Sequence, residues 1–124
     1  MTPPNALRAL HDHLDDGEQL TGLEPVFFRL YPENTEAGAA DCILFRPDGG
    51  AAPNELMQQP GVTLAICTAR PDTGYERAAA IRDYLIANHI ADGVCNFQIL
   101  ADIVGPSMLE SGRSLYELNV RVWT

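Results

Sequence analysis

Residues 68–90, TARPDTGYERAAAIRDYLIANHI, change character partway along, and the rest of the chain is read from them. VTLAICT (Val62 to Thr68) leads in as a strand that is apolar on both faces, the pattern of a central strand in a sheet. A turn follows, then a helix of about four turns. Thr73 with Glu76 three residues later has the form of a capping box, in which hydroxyl and carboxylate each satisfy an otherwise unpaired backbone N–H. On a helical wheel Ala78, Ile81 and Leu85 form one stripe and Tyr75, Ala79, Ile86 and Ile90 another, with Arg82 and His89 between them. Together the stripes span about 180°, wider than the ~100° a helix needs to lie on one core. The helix is therefore expected to have two things to cover.

Working outward, Thr2 is placed to cap a first helix that opens with prolines and closes at Gly17. Ala6, Leu7, Leu10 and Leu14 share one side of it, and Arg8, Asp12, Asp15 and Asp16 lie opposite. VFFRL (Val26 to Leu30) and CILFR (Cys42 to Arg46) read as short strands, separated by Tyr31-Pro32 and the polar segment ENTEAGAAD. Residues 47–61, PDGGAAPNELMQQPG, hold three prolines and three glycines and read as an exposed loop. In the last third, Phe97, Ile99, Ala101 and Ile103 alternate with polar or exposed positions, and so do Tyr116, Leu118, Val120 and Val122. With GPSMLESGR between them, these two runs predict an antiparallel hairpin with a long tip.

The chain has 124 residues, enough for one domain over residues 1–124 and too few for two. No apolar run approaches the ~20 residues needed to cross a bilayer, and Pro3 and Pro4 stand where a signal peptide would carry positive charge. Cys42, Cys67 and Cys95 are odd in number and widely spaced, so they are expected to be buried, reduced thiols of a cytoplasmically made protein. Net charge is -9, from 17 acids against 8 bases, all arginine. Nucleic-acid readers need a basic patch to displace counterions, whereas residues 1–36 hold seven acids and only Arg8 and Arg29 as bases. Sequence-specific DNA binding is thereby disfavoured.

Chemistry finds little purchase. His11 and His13 are two apart on a helix, about 160° from each other, so they cannot share one ion and read as solvated. Asp15, Asp16 and Glu18 read as a solvated acidic end of the same helix. Gly105-Pro106-Ser107 lacks the second glycine of a nucleophile elbow, and the cysteines lack CxxC spacing. Asp48-Gly49-Gly50 has too few oxygens at alternate positions for a calcium loop. Tyr75, Tyr84 and Tyr116 read as core or rim aromatics. No catalytic, metal or cofactor site is expected.

Arg82 admits two accounts. Its stem can pack along the dry surface while the guanidinium reaches water or a nearby acid. Alternatively a neighbouring subunit covers part of the arc and Arg82 is a polar pin within the contact, with Tyr75 and His89 beside it. Arg70, between strand and helix, and Arg113, at the end of the hairpin tip, are placed to serve similarly.

In the order of these elements the chain resembles the tail terminators of tailed bacteriophages. The resemblance lies in the N-terminal amphipathic helix, the strand leading into Tyr31-Pro32, the proline-containing loop before VTLAICTAR, the helix YERAAAIRDYLI, and a closing hairpin with Gly112-Arg113 at its tip and SLYELNVRVW as its last strand. It implies an α+β subunit: a mixed, mainly antiparallel sheet of four to five strands, flanked by two helices and ending in a C-terminal β-hairpin. It also implies a homo-oligomeric ring, typically of six copies, in the tail or neck of the virion. One side of the ring meets the major tail tube protein and the other meets the head-closure or connector protein. Genomic DNA passes through the lumen without being read. Loops at 31–41, 47–60 and 104–113 are then candidates for axial docking, ordering on assembly. The rivals are another neck component, such as a head-closure or adaptor protein, and a small cytoplasmic α+β enzyme or ligand-binding module.

Overall fold

A computed structural model describes residues 3–27, 41–47, 61–91, 95–109 and 112–123. Helix α1 (Pro3–Asp16) leads to strands β1 (Glu24–Phe27), β2 (Cys42–Pro47) and β3 (Gly61–Thr68). Helix α2 (Pro71–Ala87) then precedes β4 (Ile90–Ala91), β5 (Cys95–Ile99), β6 (Val104–Met108) and β7 (Ser114–Trp123). The strands form one sheet in the order β1-β2-β3-β7-β5-β4, with β6 also paired to β7. Among the described residues only the β1–β2 pairing is parallel, so the sheet is mixed and mainly antiparallel, as expected for an α+β fold.

All eight residues of β3 are buried, which suits the strand that is apolar on both faces and lies between β2 and β7. The period of two assigns its faces. Val62, Leu64 and Ile66 join Ile43, Phe45, Tyr116, Leu118, Val120 and Val122 beneath both helices. Leu7, Leu10 and Leu14 of α1 and Ala78, Ile81 and Leu85 of α2 close that core from above. Each leucine or isoleucine buried there contributes about 1.5–3 kcal/mol relative to exposure. On the opposite face Cys42, Leu44, Ala65, Cys67 and Leu115 form a second, smaller cluster.

Several expectations are corrected. Helix α2 starts at Pro71, so Thr73 lies inside its first turn and does not cap it; the N-cap is Arg70, which makes no side-chain cap hydrogen bond. Pro71 brings a preset φ and no N–H to satisfy, and it holds Arg70 extended. Asp72 does the side-chain capping instead, its Oδ1 accepting from the Thr73 N–H at 2.9 Å. Thr2, Tyr31-Pro32 and residues 48–60 lie outside the described residues.

The alternation over 97–103 does not make one strand. Asp102 Oδ1 accepts from the Ile103 N–H at 2.7 Å, a local bond that takes the backbone out of the ladder after Leu100. Much of the expected long tip is strand β6, and beyond it Leu109 N–H donates to Arg113 O and Gly112 N–H to Leu109 O. Gly105-Pro106 reads as a breaker in sequence, yet on an outer strand proline forfeits no ladder bond and occupies a register irregularity. Gly105 is required there, since its φ is +136° and a Cβ would lie 2.8 Å from Leu115 O. Among the described residues β4 and β6 bring the sheet to seven strands, where four to five were expected.

Finally, the histidines of α1 are half-buried rather than solvated. His11 packs against Phe27 and Phe45, with ring centroids 5.6 and 5.7 Å away. His13 stacks on Phe97 at 4.9 Å, and Tyr84 lies beside it at 5.3 Å. Pointing to opposite sides of the helix, the two rings end in two separate aromatic clusters. Asp15, Asp16 and Glu18 are exposed.

Candidate functional site

Helix α2 covers the core with Gly74, Ala78, Ile81 and Leu85, all buried. Of its second stripe, Tyr75 is 48% and Ile86 61% exposed and Ala79 is half-buried; the helix ends at Ala87, so Ile90, 54% exposed, lies in β4 and not on the helix as the wheel places it. An apolar side chain gains nothing from water, so two large ones left open on a helix whose other side is buried, with a third just past its end, invite a covering surface.

Beside the stripe runs an open cleft of about 1100 Å³ between the C-terminal half of α2 and the β5 segment. Arg82, Leu85, Ile86 and His89 line one wall, and Phe97, Ile99 and Leu100 line the other. Arg82 spans the cleft. Its Nη1 donates to Asp102 Oδ1 at 2.7 Å and its Nε to Asp83 Oδ1 at 3.0 Å, with 22% of the side chain exposed. The hydrogen bond from Arg82, aided by the Ile103 N–H, holds the Asp102 carboxyl below the usual carboxylate range, and the two acids push the Arg82 guanidinium pKa up. The stem therefore packs along the dry surface while the head is held by neighbouring acids.

The five residues singled out from sequence fall in different settings. Tyr75 and Arg82 lie on the outer side of α2, with His89 two residues past its end, and Tyr75 also meets Tyr116 edge-on at 5.9 Å. Arg70 is exposed at the helix start, paired to Asp72 at 3.1 Å. Arg113 is 1% exposed and is not part of this surface. Its charge lies beside the buried thiols Cys42 and Cys67. Cys67 is pulled down to about 7, first by the hydrogen bond from the Cys42 thiol and then by Arg113, against the opposing effect of burial. Cys42 is pushed up by the same partner and by burial.

Arg77 drew no notice in sequence. One of its terminal nitrogens donates to both Gln19 O, at 2.9 Å, and Thr21 O, at 2.6 Å, tying α2 to the link between α1 and β1. An arginine on the flank of a helix gives no sequence signal of such a clamp, because its acceptors are distant backbone carbonyls.

Among the described residues no group of three or more His, Cys, Asp or Glu is placed to hold a metal ion, and no helix is long and apolar enough to cross a membrane. The surface is thus built of apolar side chains and an arginine held between the carboxylates of Asp83 and Asp102, which suits contact with another protein surface. No curated protein matches the chain. A family model for phage tail termination proteins matches residues 5–124, nearly the whole length, and the chain belongs to that family.

Proposed function

We infer that the chain, as a member of this family, has a structural role in tail completion. We propose that it acts as a head-to-tail homo-oligomeric ring, of six copies, closing the head-proximal end of the tail tube. In this reading the major tail tube protein lies on one side of the ring and the head-closure or connector protein on the other.

The observation that carries the reading is the double use of α2, with Ala78, Ile81 and Leu85 fully buried while Tyr75 and Ile86 stay open on the same helix and Ile90, in β4 just beyond its end, is open as well. A head-to-tail ring needs two different complementary patches per subunit, and this stripe supplies one. Tyr75, Arg82 and His89 lie within the contact, and Arg70 borders it. Pro25 in β1 and Pro106 in β6 interrupt the outer strands, which favours contact through side chains over strand-to-strand extension of the sheet. The net charge of -9 suits a lumen through which DNA slides, because an acidic wall repels phosphate.

Light scattering of the purified chain, together with electron microscopy of the chain mixed with tail tubes, tests the proposal. Six-membered rings, or density capping one tube end, are expected. A chain that stays monomeric and leaves both tube ends bare would refute it.

A further inference from the structure

Cys42 and Cys67 stand directly opposite each other in the antiparallel β2–β3 pairing and project from the sheet face that carries no helix. Both are free thiols, 3% and 0% exposed. They belong to one small buried cluster on that face, and each thiol shifts the titration of the other. The Glu24 N–H donates to Asp41 O, so the Asp41 backbone faces β1 and that of Cys42 faces β3. The pair is therefore of the hydrogen-bonded type, with Cα atoms about 5.5 Å apart, within the roughly 4.4–6.8 Å that a disulfide spans. Burial alone would disfavour a thiolate, yet the guanidinium of Arg113, itself 1% exposed, lies beside both sulfurs and favours one.

We propose that Cys42 and Cys67 are a redox-responsive pair, a dithiol in reducing surroundings that closes to a β2–β3 disulfide when the protein meets a small peroxide. The Cys67 thiolate attacks one peroxide oxygen, the O–O bond breaks, and the departing hydroxide takes up a proton to leave as water. Cys67 is then a sulfenic acid. The Cys42 sulfur attacks it, forming the S–S bond and breaking S–O, and the second hydroxide leaves as water with the proton Cys42 gives up. The two sulfurs together lose two electrons, and one hydrogen peroxide becomes two waters. The oxidant is close to water in size, which a buried pair requires. The bond would staple the two strands beside the tip of the hairpin, closing the chain from 42 to 67 into a loop.

The test uses the full-length chain, reduced, then treated with hydrogen peroxide and digested with an aspartate- and glutamate-specific protease. The peptide 42–48 joined to 56–72, its mass lower by two hydrogens than the sum of the separate peptides, is expected. A melting temperature higher by several degrees, on the order of 5–10 °C, and reversed by dithiothreitol should accompany it. Cys42→Ser and Cys67→Ser should each abolish the shift, and the peptide map of the wild-type chain decides the matter if either variant misfolds. Complete alkylation of both thiols after peroxide, a link to Cys95 instead, or oxidation of Cys67 to the sulfinic acid with no cross-link would each overturn the proposal. None of these readouts depends on ring assembly.

Discussion

Arg82 and Asp102 meet at 2.7 Å, joining the outer side of α2 to the break between β5 and β6. The same carboxylate oxygen accepts from the Ile103 N–H, so one atom both ends the strand run and anchors the helix. The folded Asp102 carboxyl sits below its ordinary value of 3.8, because the ionised form holds these bonds. Its contribution is complete above that ordinary value and is lost as pH falls through the lower folded value. Asp102→Asn should lower the melting temperature slightly at neutral pH. The gap to the wild type should close as the pH of the scan is brought well below 3.8, and it should narrow with added salt.

Leu85 and Ile86 are neighbours in sequence, one fully buried and one 61% exposed. Leu85→Ala should cost about 2–5 kcal/mol in urea unfolding, through lost burial and the cavity left behind. Ile86→Ala should change monomer stability by less than about 0.5 kcal/mol and still weaken ring formation in light scattering. Arg82→Glu should disrupt the same assembly, placing a third acid beside Asp83 and Asp102. An unchanged oligomeric state in both Ile86→Ala and Arg82→Glu would remove this face from the contact.

Gly74 faces the sheet at the start of α2, where an added Cβ would lie 2.6 Å from Thr68 Oγ1 and 3.0 Å from the Tyr116 ring. Thr68 cannot easily yield, since its hydroxyl donates to Arg70 O at 2.7 Å and is buried beside Ser114. Gly74→Ala gains up to about 1 kcal/mol of helix propensity. Overpacking costs typically 1–3 kcal/mol, so the expected net result is a lower urea midpoint.

Arg77 holds two carbonyls of the α1–β1 link. Arg77→Met keeps much of the stem packing and removes both bonds. A loss of about 1–3 kcal/mol is expected, together with faster amide exchange around residues 19–23.

The thiol pair gives a second pH signature, measured under reducing conditions. In the unfolded chain both cysteines titrate near 9.0, whereas in the folded chain Cys67 titrates near 7 and Cys42 keeps its proton well beyond 9.0. Between about 7 and 9 the unfolded chain binds the extra proton, so stability should rise with pH. Above 9.0 the folded chain binds it, so stability should fall. Cys67→Ser should lose the rising limb.

Much of the architecture was legible because hydrophobic period is a local property. The apolar strand at 62–68, the stripe Ala78, Ile81 and Leu85, and the alternation ending in Val122 each identify an element and its dry face without reference to any other. So does the second stripe of α2, whose exposure follows from the arc being wider than one core can cover. Where the local signal failed, a local rule met a competing contact. Thr73 and Glu76 fit a capping box, but Pro71 two residues earlier sets the helix start. Gly105-Pro106 looks like a turn, but an outer strand tolerates both residues.

The sequence by itself thus determined the two helices, the central and final strands and the faces that seek burial, because those preferences arise within a few residues of backbone. Only the tertiary structure decided what each polar group meets: Asp102 for Arg82, two carbonyls for Arg77, aromatic rings for His11 and His13, and the paired thiols for Arg113. Those meetings depend on strand order and register, which bring together positions far apart in the chain and leave no periodic trace in the sequence.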